Sequence, residues 1–340
     1  MPMAALFCLS LAIAFLMGVA MQRANACMVV AFDDLIYRRS ATRILTIVST
    51  WLMVPGFLAL LALTTGFIPD LTLFPITVWS VVGGLLLGLG AVVTGACTGG
   101  VVARIGSGEF VFALTIVGFA AGCLLAEVFG PAETIHASAV PTSLPSASPV
   151  PALLLLVFVI AFNVRGLVRG RHQNWRAVLN SAWDPRAANI VLAGGALALL
   201  QIYGRPSGYP ELVGAASRRS LDGIVQGMVL FAALLAGAIV AGRTCTRAKL
   251  SGPLKGRVIR CSVGGLIMGV GFSLGPGSFG GLTLLGQPLL LPYAWVVMSG
   301  AYVTMLLGVI YLRSRFGAWI KTRRNKDEGS VVVGQDAAGR

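Results

Sequence analysis

The stretch "GGLLLGLGAVVTGACTGG" (83–100) recurs in the chain as "GGLIMGVGFSLGPGSFGG" (264–281), aligned without gaps at an offset of 181 residues. Seven of the eighteen aligned positions are identical, more than composition alone would give. Both copies are glycine-rich, and their ends, "TGACTGG" and "GPGSFGG", are expected to break a helix where the chain turns back. Such backbone is tolerated at membrane depth only if it is buried in protein or lines a polar cavity.

A second correspondence supports the same repeat. Arg23 follows the first apolar span and Arg205, in "YGRPSG", follows the sixth, at an offset of 182 residues. Five spans separate equivalent elements, and an odd number places the second copy upside down in the membrane. Inverted repeats are typical of transporters, whose substrate sites lie near the midplane where the repeats meet.

Composition sets the class of protein. Of 340 residues, 56% are hydrophobic and only 11% are charged, which excludes a soluble globule. About 20 apolar residues are needed to cross a bilayer as a helix. We expect an all-α polytopic membrane protein with about nine spans, at 3–21, 44–67, 76–97, 109–129, 151–168, 188–203, 221–242, 257–276 and 289–312.

These elements predict four parts of the chain. They are a first transmembrane repeat (1–129), a connecting segment (130–187), a second, inverted repeat (188–312) and a basic tail (313–340). The connecting segment contains a Pro/Ser-rich linker expected outside the cell, one span and a basic cytoplasmic loop. The tail is expected to be cytoplasmic.

The net charge of +14 lies mainly in short loops that follow alternate spans. This is the positive-inside pattern of a multi-pass protein in the bacterial inner membrane, so we expect lipid and not nucleic acid as the large partner. The N-terminus is predicted outside and the C-terminus in the cytoplasm. The loop with Arg205, Arg218 and Arg219 departs from the pattern.

The segment "MQRANACMVVAFDDL" (21–35) has two interpretations. "ANA" before Cys27 resembles the end of a cleaved signal peptide, but no basic residue precedes the apolar core, and Arg23 lies on the wrong side of it. We expect an uncleaved first span that ends in a polar turn. Asp33 and Asp34 are interpreted as ion-pair or capping residues beside Arg38 and Arg39.

Six cysteines are present without a CxxC pair, and the chain has only two histidines, so we expect no metal site and no cofactor. Cys8 and Cys123 lie within smooth apolar spans, where a thiol behaves as a small hydrophobe. Cys97 lies at a helix break beside Thr98 and Gly99. The other candidate thiol ends the first span beside three polar residues: Cys27 lies near Gln22, Arg23 and Asn25.

Three regions resemble the signature regions of the YeeE/YedE family of sulfur-compound transporters, typified by the thiosulfate permease. They are "GVAMQRANACMVVAFDDLI", "GACTGGVVARIGSGEFVFALTIVGFAAG" and "GGLIMGVGFSLGPGSFGG". The resemblance implies an hourglass of two inverted halves and a pathway for a small sulfur anion. It implies that the pathway is lined by Cys27, Cys97 and Ser278, with Gly277 preceding the serine that replaces the family cysteine.

The serine keeps a hydroxyl donor but not a soft thiol, so thiosulfate, sulfite and sulfate all remain candidate substrates. Arg23 and Arg205 are expected to attract the anion. The resemblance also implies a small soluble sulfur-carrier protein as a partner. Two alternatives to a permease stay open: a membrane sulfurtransferase or thiol enzyme, and a degenerate sulfur sensor or scaffold that binds the anion without moving it.

Overall fold

The computed structural model is helical over the residues that it describes. It describes residues 3–24, 27–66, 74–129, 153–161, 183, 185–204, 208–217, 223–244, 254–275 and 277–311. Twelve helices organise this part of the chain: α1 (Met3–Ala24), α2 (Met28–Tyr37), α3 (Thr42–Thr65), α4 (Val78–Thr94), α5 (Thr98–Gly106), α6 (Ala113–Phe129), α7 (153–161), α8 (Pro185–Tyr203), α9 (Tyr209–Ser217), α10 (Ile224–Thr244), α11 (Leu254–Leu274) and α12 (Pro292–Tyr311). Short turns occupy Phe110–Phe112, Phe279–Gly281 and Leu282–Gly286.

Eight helical segments among the described residues are long and apolar enough to cross a membrane. They are α1 with α2, α3, α4 with α5, α6 with its preceding turn, α8, α10, α11 and α12. The predicted helical, polytopic membrane architecture is therefore confirmed. The ninth predicted span, 151–168, is helical over 153–161, and the rest of it lies outside the described residues.

The order of elements repeats along the chain at the offset that the sequence indicated. α2 begins at Met28 and α9 at Tyr209, while α5 begins at Thr98 and its counterpart turn at Phe279; each pair is 181 residues apart. In the same order, α1, α3, α4 and α6 correspond to α8, α10, α11 and α12. The division of the chain into four parts stays a prediction, but the element order agrees with it.

Helices α4 and α11 cross in direct backbone contact because glycines line both faces of the crossing. A Cβ built on Gly90 would lie 2.6 Å from the carbonyl oxygen of Gly264, and one on Gly271 would lie 2.6 Å from the amide nitrogen of Leu87. Real Cβ atoms do not approach backbone so closely. Small residues let membrane helices pack at this distance, which explains why both copies of the repeat are rich in glycine.

Each of these two helices ends in a turn that no ordinary side chain would favour. Gly95 caps α4 with φ +77°, and Gly277 follows α11 with φ +119°. Glycine adopts positive φ without steric cost. The chain can therefore end one helix and start a new short one, α5 after Cys97 and the Phe279–Gly281 turn after Ser278.

Aromatic packing fixes the short helix α9 against its neighbours. The Phe119 ring of α6 lies 5.6 Å from the Tyr209 ring of α9 and 5.3 Å from the Phe272 ring of α11, centroid to centroid. Tyr209 also contacts Phe231 of α10 at 5.8 Å. These edge and tilted contacts are favourable, and they hold the first turn of α9 in a defined position.

Candidate functional site

One cavity of about 200 Å³ lies among the ends of the short helices. It is far larger than the roughly 15 Å³ that a single water requires. Its wall includes five of the side chains or backbones singled out in the sequence: Cys27, Cys97, Thr98, Gly99 and Ser278. The helix breaks that the repeat predicted therefore converge on the same space.

The two thiols on this wall are neighbours. Cys27 and Cys97 are 6% and 5% exposed, and each is the residue that immediately precedes a short helix, α2 or α5. The Cys97 backbone N–H donates to the Cys27 sulfur over 3.4 Å. Gly100 makes this arrangement possible, because a Cβ there would lie 2.6 Å from that sulfur.

Ser278 occupies the position in the second repeat that Cys97 occupies in the first. Its hydroxyl oxygen accepts a hydrogen bond from the Gly281 N–H over 3.0 Å and caps the short turn. The same hydroxyl donates to the carboxyl oxygen Oε1 of Glu211, on α9. The serine side chain is 2% exposed, so these two bonds define its orientation.

Glu211 is a cavity residue that the sequence patterns did not indicate. It lies in the first turn of α9 and is partly exposed, because its carboxyl group faces the cavity. In isolation "YPELVGAAS" is typical of a helix start with a favourable acidic residue. The offset of the repeat was the one signal that could have indicated Glu211, because it pairs α9 with α2, the segment that follows Cys27.

Arg43 is a second cavity residue that was not predicted. It lines the cavity from the first turn of α3, and its side chain is 26% exposed. Its Nε forms an ion pair with Asp34 over 2.5 Å, and its Nη1 donates to the Ala24 carbonyl oxygen over 2.8 Å. Asp34 also contacts Arg38 at 3.4 Å, so its predicted ion-pair role is confirmed, with Arg43 as an additional partner.

Gln22 and Arg23 belong to a neighbouring polar layer and are not among the residues that line the cavity. The Gln22 amide donates to the Ser107 hydroxyl over 2.8 Å, beyond the end of α5. Arg23 donates to the Thr244 hydroxyl over 2.8 Å, at the end of α10. These bonds tie the end of α1 to two other helices, and direct contact with a solute stays a prediction for both residues.

The remaining predicted site residues are Gly277, Asn25 and Arg205. Gly277 supplies the positive-φ turn before Ser278 and is not itself a lining residue. Asn25 and Arg205 lie outside the described residues.

The wall combines several kinds of hydrogen-bond donor. Thiols and hydroxyls can donate S–H and O–H groups. The first backbone N–H groups of a helix have no partner within the helix and favour anions, and Thr98 and Gly99, at the start of α5, both line the cavity. These neutral donors share the wall with the Arg43 guanidinium, and together they can bind a small anion.

Comparison with curated proteins gave no match. The family profile described as Sulphur transport matches residues 23–310, which includes both copies of the glycine-rich repeat and every described residue that lines the cavity from Cys27 onward. With the helical membrane architecture and the predicted sequence signatures, this match shows that the chain belongs to the YeeE/YedE sulphur-transport family.

Proposed function

We propose that the protein is a permease that moves a small inorganic sulfur anion, thiosulfate or a close relative, through the cavity at Cys27, Cys97 and Ser278. Membership of a sulphur-transport family supports the class of solute. The observation that carries the proposal is the position of the three side chains on one cavity, each directly before a short helix that follows a break.

Neutral hydrogen-bond donors suit the passage of a sulfur anion for a physical reason. A dianion that leaves water needs hydrogen bonds in place of its hydration, but an uncompensated full positive charge would hold it tightly. The charge of Arg43 on the same wall is compensated by its ion pair with Asp34. Thiols and hydroxyls give weaker, reversible contacts. Sulfur is also polarizable, which suits the terminal sulfur of thiosulfate.

The cellular setting is part of the proposal. The alternation of basic loops supports the inner membrane of a bacterium, with the N-terminus outside and the C-terminus in the cytoplasm. A small soluble sulfur carrier that receives the anion at the cytoplasmic face is the partner we propose. The predicted attraction of the anion by Arg23 and Arg205 belongs to the same proposal.

Uptake of radiolabelled thiosulfate into liposomes reconstituted with the purified protein tests the proposal. We expect uptake by the wild type, loss in Cys97→Ala and a higher rate in Ser278→Cys, which restores the family thiol. Cys123→Ala is the matched control, because Cys123 is equally buried but donates to the Gly269 carbonyl between α6 and α11. Equal rates in Cys97→Ala and Cys123→Ala would contradict the pathway. Binding without uptake by the wild type would favour a sensor.

A membrane sulfurtransferase is a second candidate, favoured by the contact of Cys97 with Cys27. One thiolate would attack the outer sulfur of thiosulfate, so that a persulfide forms and sulfite leaves, and the other thiol would stand beside the product. Intact mass after incubation with thiosulfate separates the candidates. A gain of one sulfur atom that disappears in Cys27→Ser supports the enzyme, whereas an unchanged mass during active uptake supports the permease.

A further inference from the structure

The contact between Glu211 and Ser278 gives the cavity a group that can exchange a proton at the substrate pathway. Ser278 has one hydroxyl hydrogen, which it donates to Glu211 Oε1, and its oxygen accepts from the Gly281 N–H. With the carboxyl group ionised, the hydrogen of Ser278 is therefore already used, and a negative charge faces the space that an anion must enter.

Protonation of the carboxyl group reverses this hydrogen bond. A hydroxyl oxygen has two acceptor positions, so Ser278 can accept from Gly281 and from a protonated Glu211 together. Its own hydrogen then becomes available to an anion in the cavity. The negative charge of Glu211 also disappears, so a single proton supplies a donor and removes a repulsion.

Other titratable groups lie on the same cavity wall as Glu211. Among the described residues, Cys27, Cys97, Tyr209 and Arg43 are the titratable groups that share its cavity wall. Arg43 already bonds Asp34 and the Ala24 carbonyl.

The helices packed against α9 add few polar groups on this side. α6 brings the Cys123 thiol near Tyr209. α10 contributes the apolar Phe231 and Leu234 to the cavity wall, and α11 places the Phe272 ring against Gly214 of α9. Glu211 is accordingly the only carboxyl group on the described part of the wall.

We infer that Glu211 is a proton-binding site that couples anion movement to protons, so that the protein works as a proton/anion symporter in which each anion enters with one proton. The proton binds to the Glu211 carboxylate when the anion binds at Ser278, and it leaves when the anion leaves on the other side. This inference rests on the proposed permease function and adds its driving force.

Liposomes with a pH difference, and with the membrane voltage held at zero by potassium and valinomycin, test the coupling. For one proton per anion, the wild type should accumulate labelled thiosulfate about tenfold for each unit by which the outer solution is more acidic. Glu211→Gln keeps the shape of the side chain but cannot exchange a proton. It should let thiosulfate equilibrate without accumulation, while Glu127→Gln, a carboxyl change on α6 away from the cavity, should behave as wild type.

Uptake by the wild type that ignores the pH difference, or full accumulation by Glu211→Gln, would overturn the inference and leave the permease intact. If Glu211→Gln does not fold, the wild type in weak buffer still tests whether one proton moves with each anion. Thiosulfate entry should make the outer solution more alkaline by one proton per anion, and the absence of any pH change would overturn the inference.

Thiosulfate binding to the solubilised protein separates a failed inference from a failed permease. If no sulfur anion is transported, the permease proposal fails, but the proton site is still testable. Binding should then weaken as the pH rises, because deprotonated Glu211 holds the Ser278 hydrogen and repels the anion. Binding that is independent of pH in the wild type would overturn the proton site.

Discussion

Replacement of Gly100 by alanine should move the Cys27 thiol and slow transport while the protein stays folded. The new Cβ would lie 2.6 Å from the Cys27 sulfur, 3.1 Å from its Cβ and 3.2 Å from the Ala96 Cβ. Ordinary contact begins near 3.4 Å, so the sulfur must move by about 0.8 Å. We expect this displacement to change its 3.4 Å contact with the Cys97 N–H.

The cost to stability is modest because two effects oppose each other. Overpacking typically costs about 1–3 kcal/mol, and alanine in a helix is favoured over glycine by about 1 kcal/mol. The free energy of unfolding should therefore fall by about 0–2 kcal/mol. If the displaced thiol loses one hydrogen bond to a charged substrate, about 1.5–3 kcal/mol, transport should slow roughly ten- to hundredfold.

Thiosulfate uptake and thermal unfolding in detergent, measured on the same preparations, test this reasoning. Gly194→Ala is the matched control, since Gly194 lies in helix α8 with no atom within 4 Å of a built Cβ. It should transport as wild type and unfold at the same or a higher temperature. A Gly100→Ala protein with wild-type uptake would refute a pathway that depends on the Cys27 thiol.

Three further predictions concern the surroundings of the site. Cys97→Ala should abolish thiosulfate uptake and Cys123→Ala should leave it close to wild type, measured as initial rates; the reverse order would exclude Cys97 as a pathway residue. Asp34→Asn should lower the free energy of unfolding by roughly 1–3 kcal/mol, because it leaves the partly buried Arg43 without its carboxylate partner; an unchanged unfolding temperature would contradict this. Gly269→Ala should greatly reduce the yield of folded protein, because its Cβ would overlap the Phe119 carbonyl, and normal yield would show that α6 and α11 can separate.

Much of the architecture was predictable from two signals with a direct physical basis. Spans follow from apolar length, and the breaks after α4 and α11 follow from glycine at positions where the backbone requires positive φ, Gly95 and Gly277. Because the short helices that follow the breaks begin at Thr98 and Phe279, 181 residues apart, the repeat alone is enough to pair Cys97 with Ser278. Both residues lie on the cavity wall.

The contacts of the other site residues depend on which way their side chains face, and the pattern of charges along the sequence does not contain that information. Arg43 reads as one more basic loop residue, yet α3 begins so that its side chain meets Asp34 at the cavity. Gln22 and Arg23 read as a polar end of a pathway, yet their described bonds are to Ser107 and Thr244. In each case a neighbouring helix supplies the bonding partner of the side chain, and the local sequence does not show which helix that is.

Glu211 illustrates a different limit. A single carboxylate near a helix start is ordinary in a water-soluble helix, and only the return of α9 to the cavity makes it unusual. The element order of the repeat holds that information, but the two sequences have no residue identity there to reveal it. The helices α2 and α9 correspond in position and differ in chemistry.

The glycine crossing of α4 and α11 constrains how such a protein can open. The two backbones are in contact, so no layer of flexible side chains lies between the helices to deform while one slides along the other. We therefore expect α4 and α11 to behave as one rigid pair. The chain breaks at the ends of this crossing, just before Cys97 and Ser278, so we expect any rearrangement along the pathway to begin at these two turns. Access to the cavity would then change through these small turns, while the packed pair of helices keeps its shape.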